Sequence, residues 1–334
     1  MTALEAPMKM ILNRVFLFVF VLFSAPFAMA VGCSQWWLTG GGYTDTKHPF
    51  LLVHGITGFD SIGGLIGYFH TIPMNLCRSG ADVVVASVSP FNDSEQRGQR
   101  LARDINNNVY GSSAKFNIIA HSQGSPTARA AITFDAAMNT TGKGRIASLT
   151  SVDGVNKGSK TADMIRGIVP VGSGIEGGVA ALANAFGSVI SWLSGDSSQQ
   201  NALASLETLT SVGTNDLNSR HPYGVSTGYC TNDRATSVNV KGNTIRLYSW
   251  AGRSVFTNIL DILDPFLVTT SLAFGGEEND GLVAVCSQKL GYYIGAYDAN
   301  HVDAINHVLG VRSLWHDPVT VYRQQANRLK NAGL

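Results

Sequence analysis

Short runs of β-branched and aliphatic residues alternate along the chain with stretches whose apolar positions recur every three or four residues, the pattern of a parallel sheet covered by helices on both faces. Phe50 to Val53 reads as the first strand and breaks at His54-Gly55. Val83 to Val88 is rich in valine and predicts a strand buried on both faces. From Asp93 the period changes, and Leu101, Ile105 and Val109 fall on one side of a helix. Phe116 to Ala120 is the next strand, and Pro126 suits the first turn of the helix after it. Later strands are expected at Ile146 to Val152 and Ile245 to Trp250, and helices at Val302 to Leu309 and Pro318 to Leu329. No internal repeat or low-complexity linker interrupts this order.

The first thirty residues follow a different pattern. Lys9 and Arg14 precede an uninterrupted apolar run, Val15 to Phe23, and then come Pro26 and Ala28-Met29-Ala30. This predicts a secretory signal peptide over residues 1–30, cleaved after Ala30. The run is far shorter than the roughly 20 residues that span a bilayer. A lipid anchor on Cys33 is the alternative, suggested by Gly32-Cys33. Residues 31–334 are then expected to form one secreted α/β domain.

Export makes the 4 cysteines candidates for disulfides, with three possible pairings. Cys230 and Cys286 would close a loop of about 57 residues, worth about 4 kcal/mol on the chain-entropy model. Free buried thiols are the other reading, and nothing local pairs Cys33 with Cys77. Charge is sparse: 24 basic residues balance 23 acidic ones for a net charge of +1, so no global field exists to hold nucleic acid. A content of 45% hydrophobic and 14% charged residues also excludes a disordered chain.

The most informative segment is Ala120-His121-Ser122-Gln123-Gly124, set between a predicted strand and a predicted helix. It matches the G-x-S-x-G nucleophile elbow with Ala for the first Gly, and the turn needs small residues two before and two after the serine. A serine hydroxyl becomes a useful nucleophile only when a base removes its proton. The chain order Ser, acid, His of this fold places the base near the end. His301 suits it, because it follows the strand-like Tyr292 to Gly295 and a loop through Asp298, whereas His307 falls inside a predicted helix and His316 beyond it. Of Asp261, Asp264, Glu277, Glu278 and Asp280, the choice is Asp280, in the sharp turn Asn279-Asp280-Gly281 six residues before Cys286. Backbone N–H groups of Ile56 and Gln123 are the candidate oxyanion donors.

Taken together, these segments resemble the Pseudomonas and Burkholderia type of bacterial true lipases. The resemblance rests on His54-Gly55-Ile56-Thr57-Gly58-Phe59-Asp60, His121-Ser122-Gln123-Gly124, Lys157-Gly158-Ser159 with Thr161-Ala162-Asp163, Asn279-Asp280-Gly281-Leu282-Val283, Asn300-His301-Val302-Asp303 and Val321-Tyr322-Arg323-Gln324. It runs from about Tyr43 to Leu334. It implies an α/β-hydrolase fold with a mostly parallel central sheet, flanking helices and a helical lid. It also implies a triad of Ser122, Asp280 and His301, oxyanion donors Ile56 and Gln123, and a Cys230–Cys286 bridge.

One further implication is a structural Ca2+, a hard cation that takes oxygen donors. The matching positions are the side chains of Asp261 and Asp303 and the carbonyls of His307 and Val311. A lipase-specific folding chaperone and type II secretion are implied in the same way. Ala120 departs from the family's usual Gly, and Cys33 and Cys77 are additional to its cysteine pair.

Between Gly177 and Ser194 there is no charged side chain until the segment ends, while Val179, Leu182, Phe186, Val189, Ile190 and Leu193 recur at helical steps. The resemblance makes a lid of about 175–194; without it the stripe reads as a core helix. The expected activity is hydrolysis of triacylglycerols at an oil–water interface by a monomer. The alternatives are an esterase or polyester hydrolase with the same triad, and a non-catalytic scaffold that binds lipid or protein.

Overall fold

The computed structural model describes residue 33 and residues 42–56, 61–62, 66–89, 92–139, 144–167, 199–307 and 309–334. The signal segment 1–30 and the 175–194 stretch lie outside the described residues.

The chain enters with β1 (Phe50–Val53), passes a small antiparallel pair, β2 (Ser61–Ile62) and β3 (Ile66–Gly67), then α1 (Ile72–Cys77) and β4 (Val83–Val85). It continues through α2 (Ser94–Asn106), β5 (Phe116–His121), α3 (Gly124–Met138), β6 (Ile146–Val152), α4 (Lys160–Ile165), α5 (Gln199–Leu209) and α6 (Ser211–Arg220). It ends with β7 (Ser237–Val240), β8 (Asn243–Gly252), α7 (Asp264–Ser271), α8 (Val285–Gln288), β9 (Tyr292–Tyr297) and α9 (Pro318–Asn331). The main sheet runs β4-β1-β5-β6-β8, and the other flank of β8 pairs first with β7 and then with β9. All these pairings are parallel except that of β7.

Alternation along β1 builds the two cores. Leu51 and Val53 face a cluster with Leu101 and Ile105 of α2 and Ala128 and Ala131 of α3. Phe50 and Leu52 face the opposite cluster, with Ile72 and Leu76 of α1 and Tyr322 and Leu329 of α9. Both faces are therefore dry, which explains why β1 and β4 read as continuous apolar runs. The registers Val53↔Ala120, His121↔Val152 and Val152↔Trp250 bring the carboxyl ends of β1, β5, β6 and β8 to one edge. Open α/β sheets place their chemistry at that edge.

Several expected boundaries move. The helix expected to carry Val109 stops at Asn106, because Asn108 turns left-handed at φ 59°, and Val109 is exposed. The strand at Val83 keeps its ladder only to Val85, and its last register pair with β1 is Leu52↔Val85. The helix expected at Val302 to Leu309 is a single 3-10 turn, Asp303–Ile305, ended by Asn306 at φ 63°. Strand β8 extends two residues beyond Ile245–Trp250 at each end, because β7 and β9 supply successive partners.

Two disulfides are formed, Cys33–Cys77 and Cys230–Cys286, with Cα–Cα distances of 5.4 and 4.6 Å. The second ties α8 to the loop before β7. Replacing Cys230 and Cys286 together by Ser is expected to cost about 4 kcal/mol. The denaturant midpoint of the variant under non-reducing conditions reads that loss directly.

Candidate active site

Ser122 sits between β5 and α3 with φ 56°, a left-handed conformation that non-glycine residues rarely adopt. Its N–H donates to Val152 O at 3.0 Å, so the strain is held by the neighbouring strand. The turn leaves no room two residues on: a Cβ at Gly124 would lie 2.4 Å from Val53 O. At the other tolerant position, Ala120 is fully buried beside Val53 and its methyl group fits.

The Ser122 Oγ–H donates to His301 Nε2 at 2.9 Å, and His301 Nδ1–H donates to Asp280 Oδ2 at 2.7 Å. These roles follow from the carboxylate, which only accepts, so the imidazole proton lies on Nδ1. Asp280 is fully buried, and its Oδ1 accepts from the N–H groups of Leu282 (2.9 Å) and Val283 (2.7 Å). His301 N–H also donates to Asp280 O at 2.9 Å, joining the two loops through main chain. A hydroxyl aimed at an oriented imidazole nitrogen is the arrangement that can activate a nucleophile.

The oxyanion candidates flank the hydroxyl. Gln123 is fully buried at the N-terminus of α3, where backbone N–H groups and the helix dipole favour negative charge. Ile56 follows His54-Gly55 off the end of β1 and is half-buried. A buried guanidinium braces both segments: Arg97 donates to His54 O (2.5 Å), Gly55 O (3.1 Å) and Gln123 Oε1 (2.5 Å). Burial lowers the Arg97 pKa only to about 10, so it stays charged at neutral pH. The same burial, followed by the Arg97 charge, lowers His54 to about 3.

A second chain of hydrogen bonds links the oxyanion loop to the base. Gly55 N–H donates to Tyr68 Oη (3.1 Å), Tyr68 O–H donates to His121 Nδ1 (2.7 Å), and His121 Nε2–H donates to His301 O (2.9 Å). The direction is forced, since the carbonyl of His301 accepts only and burial holds His121 well below its ordinary pKa and therefore neutral.

No protein-family model matches the sequence. The chain is 42% identical over 328 residues to the triacylglycerol lipase of Vibrio cholerae serotype O1, covering 97% of this chain and 100% of that protein. It is 37% identical over 302 residues to the triacylglycerol lipase of Pseudomonas fragi, covering 87% and 98% respectively. The chain belongs to the bacterial triacylglycerol lipases. Among solved structures this lipase matches lipase 1 from Pelosinus fermentans with a TM-score of 0.55 at 16% identity, over 85% of this chain and 99% of that one. At that identity the likeness shows the shared α/β-hydrolase fold.

The geometry thus brings together Ser122, His301 and Asp280 and sets Ile56 and Gln123 beside them. Sequence reasoning missed Arg97, Tyr68 and Asp153. Arg97 reads locally as one of several basic residues on an amphipathic helix, and only the N-cap at Asp93, which accepts from Gln96 N at 2.7 Å, fixes which turn it occupies. Asp153 carried one usable signal: a carboxylate directly after the buried strand β6, at the edge where the serine also emerges.

The positions proposed for calcium divide. Asp261 and Asp303 are both buried and share a cluster with Asp264: Asn300 Nδ2 donates to Asp261 Oδ2 (3.2 Å) and Asp264 Oδ1 (2.8 Å), and Asn300 N–H to Asp303 Oδ2 (3.0 Å). Burial first, and the two neighbouring carboxylates after it, push the Asp303 carboxyl up to about 7. Hard oxygen donors crowded in this way fit Ca2+. The His307 ring points elsewhere, with Nε2 2.9 Å from Gly67 O, which leaves only its carbonyl as a donor. Val311 lies on the loop between that histidine and Ser313, whose N–H donates to Asp303 Oδ1 at 3.2 Å.

Tyr68→Phe keeps the ring packing and removes one hydroxyl from the chain between Gly55 and His121. Because buried groups then lose their partner, kcat on a soluble p-nitrophenyl ester is expected to fall about 10-fold. Stopped assays against the unaltered enzyme check it, with circular dichroism confirming the fold.

Proposed function

We propose that this lipase cleaves acylglycerol esters through a Ser122–His301–Asp280 triad and an acyl-enzyme. The observation that carries the reading is the continuous run from Ser122 Oγ to His301 to buried Asp280, at 2.9 and 2.7 Å, on a strained elbow. Ser122 Oγ attacks the ester carbonyl while His301 Nε2 takes its proton, and Asp280 stabilises the imidazolium without accepting a proton itself. The N–H groups of Ile56 and Gln123 bind the oxyanion, a contribution of about 3 to 4 kcal/mol for each donor lost. His301 then protonates the departing alcohol, and water repeats the sequence on the acyl-enzyme.

An oil surface as the site of action is supported by an uncharged face near the triad acid. From Ser254 to Phe274 the only charged residues are Asp261 and Asp264, and both are buried. The same segment exposes Phe256, Ile259 (87%), Leu260, Ile262 and Leu272. Asn258 Nδ2 donates to Arg312 O at 2.8 Å, tying this loop to the one that exposes Leu314 and Trp315 (85%). Helix α7 turns its buried Leu267 onto Gly281, next to Asp280, and its exposed Val268 outward. Apolar area of this kind marks an interaction surface in a monomeric protein.

We also assign Asp261 and Asp303 as side-chain ligands of one structural Ca2+, completed by the carbonyls of His307 and Val311. When bound, the ion would supply charge compensation for the buried carboxylates and no chemistry on the ester. The signal-like segment 1–30, the two disulfides and the resemblance support a secreted enzyme.

Ser122→Ala is expected to lower hydrolysis of emulsified tributyrin about 10^6-fold. Retained turnover, or unchanged labelling by an organophosphonate ester, would remove the nucleophile assignment. Removing Ca2+ with EGTA is expected to lower the Tm by about 5 °C or more, restored by added Ca2+ but not Mg2+. An unchanged melting curve disposes of the metal assignment.

A further inference from the structure

Asp153 is a second buried carboxyl beside the triad. It follows β6 directly, is fully buried and holds φ 46°. Its Oδ1 accepts from Gly252 N–H at 2.8 Å, a proton that Gly252 shares with Gln288 Oε1 at 2.9 Å. Its Oδ2 has no hydrogen-bond partner among the described residues, and Asp280 is its neighbour across Gly252. Both groups pack on Gly252: an added Cβ there would lie 2.8 Å from Asp153 Oδ2 and 3.1 Å from Asp280 Cβ. Oxygen and ring nitrogen atoms of Asp153, His121 and His301 all fall within 4.8 Å of one another.

Two carboxylates in contact inside a protein do not both ionise, and a hydrogen bond between them requires one proton. The donors decide which group carries it. Asp280 accepts from Leu282 N, Val283 N and His301 Nδ1, three donors that favour its charge. Among the described residues, Asp153 accepts only the shared Gly252 N–H. We propose that Asp153 is a protonated carboxylic acid at neutral pH that donates its O–H to Asp280, and so acts as a positioning residue for the acid that orients His301.

The electrostatics agree in direction. Burial, and next the Asp280 charge, push the Asp153 carboxyl well above the carboxylate range. The other titratable groups around it are His121 and His301, Asp303, and the hydroxyls of Tyr68, Tyr293 and Tyr322. A neutral donor gives Asp280 a fixed partner besides His301 without adding a second negative charge. It also moderates how strongly Asp280 attracts the imidazolium. The left-handed backbone at Asp153 is one that Asn and Gly also adopt, which makes two clean substitutions available.

The inference rests on the reading of Ser122, His301 and Asp280 as the triad, so its test has one arm independent of turnover. In the infrared difference spectrum between the native enzyme and Asp153→Asn at pH 8, a carboxylic-acid C=O band should be lost. Loss of an ionised carboxylate band instead overturns the proposal, whatever Ser122→Ala does. In kinetics, Asp153→Asn keeps an N–H donor and an acceptor, and is expected to retain kcat within about 3-fold with the acid limb of kcat/KM unmoved. Asp153→Gly removes the donor at an unstrained backbone; kcat should fall about 10-fold with KM unchanged, and the acid limb should move to higher pH because the Asp280 carboxylate then attracts the imidazolium more strongly. A charged Asp153 predicts the reverse for Asn, an acid limb displaced to lower pH, and that result also overturns the assignment. Equal losses in Asn and Gly would do the same.

Discussion

The left-handed turn at Ser122 is the constraint from which the site is built. At φ 56° the residue turns the chain from β5 into α3 within one step, so the hydroxyl projects from the sheet edge and the next N–H sits at a helix N-terminus. Such a conformation costs on the order of 1–2 kcal/mol and persists only when its surroundings fix it. Here they do so from three sides. Val152 O takes the serine N–H, Val53 O closes the space at Gly124, and fully buried Ala120 fills the strand beside β1.

Around that turn the hydrogen-bonding groups are arranged so that each polar element is set by another. Arg97 fixes the carbonyls of His54 and Gly55 and the side chain of Gln123, so one buried cation braces both segments proposed to supply oxyanion donors. Tyr68 and His121 pass from Gly55 N–H to the His301 carbonyl, so the oxyanion loop and the base share one directional chain. The acid loop is held through the backbone of Leu282 and Val283 and packed by Leu267. The catalytic geometry proposed for these groups depends on rigid support as well as on the three side chains themselves.

Much of this was legible because it is local. Strand β1, the elbow Ala120 to Gly124, and the turn Asn279 to Gly281 each carry their signal within a few residues. What was hidden depends on contacts distant in sequence. Val109 continues the helical period perfectly well, and only the left-handed Asn108 takes it out of the helix. Val302 to Leu309 has helical spacing, yet Asp303 is drawn to Asn300 and Ser313, which leaves one 3-10 turn. The Cys33–Cys77 pair is separated by 44 residues, and no local feature favours it. Arg97, Tyr68 and Asp153 gain their roles only when β1, β5, β6 and β8 end at one edge.

The uncharged face of residues 254–274 has a consequence in solution as well as on oil. A net charge of +1 offers almost no mutual repulsion between molecules near neutral pH. On the proposed reading, the exposed side chains of Ile259, Ile262 and Trp315 that would meet a lipid offer the same apolar area to another molecule when no droplet is present. Detergent or lipid that covered this surface would then act as a colloidal stabiliser, because it would remove the apolar area open to self-association. Ionic strength has little leverage on the 254–274 part of that surface, whose two carboxylates are both buried.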